Sequence, residues 1–391
     1  MPPANTLPKS LGHQPNLDGL RGIAVLAVLF FHLDWPWCPG GFLGVDVFFT
    51  LSGFLITTLL LEEYFGTGRI SLTRFFIRRG IRLYPALVAL VLVSTAFAFL
   101  AHKDPSRTLT IALSVLGYVA NWATMLDTSG WFGGMPHTWS LAIEAHFYVL
   151  WAVTLALIAR RFNSAQERTS LLKILSVVAV GTIIASASWR AILWAQDAPW
   201  LRMYLGTEAR LDAVFIGALA ALVRLRLLTS SGVNWFQSAR RLPIALIEIV
   251  CVLALAALFA TTQWRSALPG MTAFTLAGIA TAGLVLTTTL HPNSLISPLL
   301  STSVMTWFGR ISYSLYIWHV PAGKFVKIEK FHAMGIPPLV AELVRFGMMI
   351  VVAAISYYLI ERTFVRLKNR FEPRSSAEST SAADRPKLPA R

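Results

Sequence analysis

The chain has 391 residues, of which 55% are hydrophobic and 14% are charged, and its mean hydropathy is +0.60. A soluble protein carries about a quarter charged residues, so this composition excludes an ordinary soluble enzyme and predicts an all-α, polytopic integral membrane protein. The formal net charge of +15 would suit nucleic acid. The basic residues, however, cluster between apolar segments, as they do in membrane-protein loops, and we expect no nucleic-acid partner.

Apolar runs of about twenty residues, the length that crosses a bilayer, recur along the chain. They predict ten transmembrane helices, near residues 18–36, 44–65, 83–101, 137–159, 171–194, 209–227, 242–262, 268–290, 303–321 and 338–362. Ten spans place both termini on one side, and the distribution of Lys and Arg between spans favours the cytoplasm.

This topology divides the chain into three parts. We expect a cytoplasmic N-terminal segment at 1–16, a membrane domain at 17–367 and a disordered, basic cytoplasmic tail at 368–391. The apolar segment 106–126 competes for the status of a span. An eleventh span would put the next basic segments outside, so we expect 106–126 to form a re-entrant or outer-surface helix.

The first predicted span carries Arg21 and His32. Their spacing returns them to nearly the same face of a helix, roughly 16 Å apart along its axis. Ionisable residues inside a membrane are costly and mark candidate functional sites. Asp46 opens the second span, and a carboxylate that holds one imidazole nitrogen would leave the other as a general base. The alternative is a histidine satisfied by a backbone carbonyl at the membrane interface.

A basic stretch, SLTRFFIRRGIRLYP, lies between the second and third predicted spans. A helix here would lie along the inner surface with its apolar side towards the membrane. Arg79 and Arg82 are three residues apart and share a face, and guanidinium groups suit bidentate phosphate recognition. Anchoring to anionic lipid explains the same pattern equally well.

Two later segments carry further candidates. HTWSLAIEAHFYVLW places Glu144 about two turns into a helix, where Arg210 and Asp212 of a later segment are its expected partners, in a structural network or a direct role. ISYSLYIWH ends at His319, which we expect to be structural. The two cysteines, Cys38 and Cys251, lack metal-ligand spacing, and no metal site is predicted.

Taken together, these segments form a recognisable set. LDGLRGIAVLAVLFFH, GFLGVDVFFTLSGFLI, FIRRGIRLYP, TWSLAIEAHFY, RLDAVFIGA, ISYSLYIWH and the closing Glu361-Arg362 occur in this order across about residues 17–365. In this the chain resembles the acyltransferase-3 family, integral membrane O-acyltransferases related to bacterial lipopolysaccharide O-acetylases. One departure is that Ala145 and His146 follow Glu144, where the family usually has polar residues.

The resemblance implies a ten-helix domain that takes an acyl group, usually acetyl from cytoplasmic acetyl-CoA, and delivers it to a sugar hydroxyl. Acetyl-CoA is then a co-substrate, and no permanently bound cofactor is expected. The family's Arg-x10-His pair, which is central to activity, corresponds to Arg21 and His32. Its Arg-x-x-Arg pair corresponds to Arg79 and Arg82, and its Trp-Ser-Leu glutamate to Glu144.

Residues and resemblance together yield one functional hypothesis. The expected catalytic residues are His32, Asp46 and Glu144; the expected acyl-CoA ligands are Arg21, Arg78, Arg79 and Arg82; and the expected acceptor ligands are Arg210 and Trp139. The partners are acyl-CoA, the bilayer and an envelope glycan or a glycosylated small molecule such as a macrolide, and the location is the cell inner (plasma) membrane. Direct transfer is the simpler mechanism, with an acyl-histidine or an acyl-serine at Ser52 or Ser140 as the alternative. The competing function is a transporter or flippase.

Overall fold

The computed structural model describes residues 10–126, 135–162, 167–229, 241–266, 268–291 and 294–370. These residues contain ten helices of at least 18 residues and no β-strand. We number the helices in chain order: α1 (Pro15–His32), α2 (Gly44–Thr67), α3 (Leu72–Leu100), α4 (Trp139–Ala159), α5 (Arg168–Ala195), α6 (Leu211–Thr229), α7 (Arg241–Thr261), α8 (Leu268–Leu290), α9 (Ser303–Phe325) and α10 (Pro338–Ser356).

Seven of the long helices in the described chain are long and apolar enough to cross a membrane, namely α2, α3, α4, α5, α7, α8 and α10. The other three, α1, α6 and α9, carry more polar or charged residues, among them Arg21, Asp212 and Arg310. The chain is therefore a multi-pass membrane protein, and the prediction of an all-α membrane fold is confirmed.

The basic stretch before the third predicted span is not a separate surface helix, and that expectation is wrong. Its arginines belong to α3, which runs without a break from Leu72 to Leu100 and continues through Pro85. The Ser71 side chain accepts a hydrogen bond from the Arg74 backbone N–H and so caps the helix before the arginines. A proline is tolerated inside a membrane helix because neighbouring elements satisfy the freed backbone groups.

The segment 106–126 forms two short helices, Pro105–Leu116 and Ala120–Leu126. Neither approaches the roughly twenty residues that a span requires. The other short helical elements in the described residues are Gly41–Leu43, Pro136–Thr138, Trp200–Leu205, Thr207–Ala209, Ser297–Leu300, Ile328–Ala333, a π-helical turn at Tyr357–Glu361, and Arg362–Arg370. Most of the predicted tail, 371–391, and residues 1–9 lie outside the described part of the chain.

Helix α2 lies at the centre of the fold, against α1, α6 and α8, while α1 also packs along α9. The α2–α6 contact is close because glycines face backbone on both sides. A Cβ atom on Gly53 would overlap the carbonyl oxygen of Val214, and one on Gly217 would overlap that of Thr50. Polar residues of α2 form hydrogen bonds with α4 and with the start of α6.

Candidate active site: two cavities beside the first helix

The first of two neighbouring cavities lies beside Arg21 on α1, and we call it the arginine cavity. It has a volume of about 60 Å³ and is lined by residues of α1, α2, α3, α4 and α9. Its polar lining residues are Arg21, Ser52, Arg79, Arg82, Ser140, Glu144, Tyr148, Ser312, Tyr313 and Tyr316. Five helices thus bring together groups that are distant in sequence.

Three guanidinium groups give this cavity its positive character. Arg21 donates from Nε and Nη2 to Ser312 Oγ, at 3.2 and 3.1 Å, and Arg79 lies over the ring of Tyr148, 5.4 Å from its centroid. Arg82 lines the cavity one helical turn beyond Arg79, as the three-residue spacing predicts. Among the described residues, none of these three groups forms a salt bridge with a carboxylate. The cavity therefore retains cationic donors for an anionic ligand.

Arg78, also expected to bind acyl-CoA, lies elsewhere. Its guanidinium pairs with Glu63 near the end of α2 at 3.1 Å, and it lines neither cavity. Adjacent positions on a helix differ in direction by about 100°, so Arg78 and Arg79 point to different surroundings. The two arginines form a natural matched pair for mutagenesis.

Glu144 has other partners than those expected from sequence. Its carboxylate accepts hydrogen bonds from Ser52 Oγ at 2.8 Å and Tyr148 Oη at 3.0 Å, and Arg210 and Asp212 are paired elsewhere. Position along the helix was foreseeable, whereas the choice of partner depends on how α2, α4 and α6 are rotated about their axes. Glu144 lies in the arginine cavity with both oxygens engaged.

The second cavity lies beside His32 at the other end of α1, and we call it the histidine cavity. Its volume is about 220 Å³. Aromatic rings make up much of its wall. The lining residues are Val28, Phe31, His32, Phe42, Val45, Thr124, Pro136, His137, Trp139, Leu201, Tyr204, Leu205, Trp264 and Tyr316.

A single hydrogen bond fixes the tautomer of His32. Its Nδ1 lies 2.8 Å from the carbonyl oxygen of Val28, one turn back on α1. A carbonyl only accepts, so Nδ1 carries the proton of the neutral ring and Nε2 keeps its lone pair. This backbone contact is the one the interface-histidine alternative anticipated, but the half-buried ring also lines a cavity. His32 is thus prepared to act as a base through Nε2.

The predicted contact between His32 and Asp46 is wrong. Asp46 is completely buried and accepts a hydrogen bond from Arg210 Nη2 at 2.7 Å, and Arg210 is equally buried. A buried carboxylate takes the strongest cation within reach, and Arg210, the residue just before α6, faces α2.

Arg210 does not line the histidine cavity but packs against aromatic residues of its wall. Its guanidinium lies 3.6 Å from the ring centroid of Phe274, 5.2 Å from that of Tyr204 and 5.7 Å from that of Trp139. Trp139 and Tyr204 do line the cavity. The Asp46–Arg210 pair therefore holds two wall residues through cation–π contacts.

Val45 and Tyr316 line both cavities and so form their shared wall. The hydroxyl of Tyr316 donates to the carbonyl oxygen of His137 at 2.9 Å and contacts Ser140 Oγ at 2.7 Å. Ser140 Oγ also donates to that carbonyl, at 3.4 Å, so the two hydroxyls and the carbonyl form one hydrogen-bonded cluster. The wall between the cavities is polar and held in place.

Sequence reasoning missed several of these residues. Ser312 and Tyr316 lie in ISYSLYIWH, where the sequence singles out only His319, and nothing in the sequence points to Tyr204 or Trp264. His319, expected to be structural, has its ring 4.5 Å from that of His32, centroid to centroid. Regular spacing of polar residues along α9 was the one available clue to its inward face.

Comparison with known proteins identifies a family for the chain. The family model that matches is described as an acyltransferase domain and covers residues 14–360. The peptidoglycan O-acetyltransferase OatA of Listeria monocytogenes is 33% identical over 320 residues, which are 78% of this chain and 49% of that protein. The O-acetyltransferase OatA of Staphylococcus aureus is 30% identical over 355 residues, 89% of this chain and 56% of that protein.

The chain thus spans about half the length of these curated relatives. No solved structure matches it. The family match includes every residue that lines the arginine and histidine cavities. On these grounds the chain belongs to the acyltransferase-3 family of membrane acyltransferases.

Proposed function

We propose that the protein is a multi-pass O-acyltransferase of the inner (plasma) membrane that moves an acyl group, in the simplest case acetyl, from cytoplasmic acyl-CoA to a hydroxyl of a sugar or glycosylated acceptor. In this proposal α1 to α10 are ten spans with both termini in the cytoplasm. The single observation that carries it is the pair of adjoining cavities, one cationic and one containing a free imidazole nitrogen.

The arginine cavity is the proposed site of acyl-CoA. Arg21, Arg79 and Arg82 provide donors that no carboxylate of the described chain neutralises by a salt bridge, and planar guanidinium groups bind phosphate bidentately. Because Arg78 is held by Glu63 outside this cavity, we withdraw it from the proposed ligands.

The histidine cavity is the proposed site of the acceptor. It is the larger of the two, at about 220 Å³, and its aromatic wall with a few convergent polar groups is typical of a site for a ring-bearing ligand. Trp139 belongs to this wall. The proposed acceptor is an envelope glycan, since the Listeria relative is named a peptidoglycan O-acetyltransferase, or a glycosylated natural product.

Transfer takes place at the wall that Val45 and Tyr316 share. His32 Nε2 removes the proton of the acceptor hydroxyl, and the oxygen attacks the thioester carbonyl carbon. The carbon–sulfur bond breaks, and the CoA thiolate leaves into the arginine cavity, where the surrounding cations stabilise its charge. Asp46 and Arg210 act through the aromatic wall as positioning residues, and Glu144 holds Ser52 and Tyr148 beside the donor.

The test measures free CoA release by the purified protein in nanodiscs, with acetyl-CoA and a panel of glycan fragments and glycosylated small molecules. Three variants are compared: His32→Gln, Arg79→Gln and the neighbouring Arg78→Gln. We expect acceptor-dependent release that His32→Gln abolishes. Arg79→Gln raises the KM for acetyl-CoA about tenfold, as loss of one charge-assisted hydrogen bond predicts, and Arg78→Gln leaves it within twofold.

Two outcomes contradict the proposal. Full activity in a folded His32→Gln protein removes the histidine as the base. A wild-type protein that neither binds nor consumes acyl-CoA, but moves a labelled glycan or lipid-linked glycan across proteoliposomes, establishes the transporter alternative instead.

A further inference from the structure

Three imidazole rings lie in contact at the end of α1 where the histidine cavity begins. The ring centroids of His32 and His319 are 4.5 Å apart, and those of His319 and His137 are 5.0 Å apart. His32 comes from α1, His319 from α9, and His137 from the short helix before α4. Three separate elements therefore meet at one histidine cluster.

Each ring gives one N–H to a backbone carbonyl, and this decides which nitrogen remains free. Nδ1 of His32 donates to Val28, Nδ1 of His319 donates to Tyr316, and Nε2 of His137 donates to Ile317. The remaining nitrogens, His319 Nε2 and His137 Nδ1, are buried and have no hydrogen-bond partner among the described residues. A buried acceptor without a donor costs free energy, and such groups in a native fold call for an explanation.

The ring contact supplies one. When His32 takes a proton, it becomes an imidazolium that needs an acceptor, and the ring in contact with it carries a free one. We propose that the buried ring of His319, whose Nε2 lone pair is unpaired, stabilises the protonated form of His32 across this ring contact; sequence alone suggests Asp46 as that partner. This inference rests on the proposed function, because the proton comes from the acceptor hydroxyl.

His32 carries the proton of the acceptor hydroxyl during the proposed reaction. The acceptor O–H bond breaks, the proton moves to His32 Nε2, and the oxygen forms the ester as the thiolate leaves. The proton stays on His32, where the neighbouring His319 ring stabilises the imidazolium. After the ester departs, His32 gives the proton to water in the histidine cavity, and the thiolate takes a proton from water on its own side.

Other charged and titratable groups surround the cluster and act on the same equilibrium. Arg345 of α10 donates to the backbone carbonyl of His32 at 3.3 Å and pairs with Glu342. Asp34 acts on His32 electrostatically, and Lys324 of α9 acts on His137. These groups are the same in every variant compared, so their contribution to the protonation of His32 stays constant.

The test has one readout that needs no enzymatic activity. Diethyl pyrocarbonate labels neutral imidazole nitrogens, so mass spectrometry of the labelled full-length protein across pH gives the midpoint at which His32 becomes neutral. We expect His319→Leu to move this midpoint down by about one pH unit, the size of shift that one interacting neighbour produces. His319→Gln, which keeps a hydrogen-bonding group but takes no proton, is the second variant. His291→Gln changes a buried histidine outside both cavities and is the matched control.

The second readout is kinetic. We expect His319→Gln to lower kcat about tenfold, the change that corresponds to one pKa unit of lost stabilisation, with the KM for acetyl-CoA within twofold and His291→Gln at wild-type values. An unchanged His32 midpoint in folded His319→Leu and His319→Gln overturns the proposal. If the His319 variants shift the His32 midpoint but the wild-type protein shows no acyl transfer, the proposed function is overturned and the interaction between the two histidines still holds.

Discussion

Removal of the Asp46 carboxylate should destabilise the protein rather than merely impair the chemistry. Asp46 and Arg210 are both 0% exposed and are 2.7 Å apart. Two further nitrogens of Arg210, Nε and Nη1, lack hydrogen-bond partners in the described residues. Asp46→Ala would leave a buried guanidinium with aromatic rings as its remaining support, which costs about 3–5 kcal/mol.

Two other variants serve as comparisons for the loss of stability in Asp46→Ala. Asp46→Leu combined with Arg210→Met replaces both charges with apolar groups, and such replacements of buried pairs are often neutral, so we expect most of the stability to return. Arg78→Gln breaks a pair whose arginine side chain is 33% exposed and should cost less than about 1 kcal/mol.

Thermal unfolding of the detergent-solubilised protein, followed by size-exclusion chromatography, measures these differences. At about 2 °C per kcal/mol, Asp46→Ala should lower the apparent Tm by at least about 6 °C. An Asp46→Ala protein as stable as wild type, or a double variant no more stable than Asp46→Ala, would refute the assignment of Asp46 to the Arg210 pair.

Two further predictions concern the packing around the site. Gly53→Ala should lower the free energy of unfolding by about 1–3 kcal/mol or prevent folding, because the new methyl group meets the Val214 carbonyl across the α2–α6 contact. Gly181→Ala in α5, where a methyl group would have no atom within 4 Å, should be neutral in the same thermal assay. Burial raises the pKa of the Cys38 thiol to about 11. Cys38 should therefore resist iodoacetamide at pH 7.5 in the folded protein and react after denaturation, and rapid labelling of the native state would contradict the fold of this segment.

Much of the architecture could be predicted from the sequence. Apolar runs mark membrane helices directly, because few other segments can enter a bilayer. The grouping of Arg79 with Arg82, and the inward position of Glu144, follow from helical periodicity. The boundary of α3 was missed because an amphipathic surface helix and the basic start of a span look alike when a proline follows the arginines.

Partner choice within the site could not be predicted. Asp46 lies in the first turn of α2, the next long helix after His32, yet it binds Arg210, 164 residues later. That choice depends on the rotation of α6 about its axis and on its glycine-mediated approach to α2, which a single sequence does not encode in any readable pattern. The contact between His319 and His32 depends on the packing of α9 along α1 in the same way.

The most direct test of the central claim is a transfer assay across a sealed membrane. Proteoliposomes hold acetyl-CoA inside, and the best acceptor from the nanodisc panel is added outside, with His32→Gln vesicles as the control. If acyl-CoA and the acceptor meet from opposite sides through the two cavities, acylated acceptor accumulates outside in wild-type vesicles alone. Product that forms only when both substrates are placed on the same side would contradict the two-cavity account.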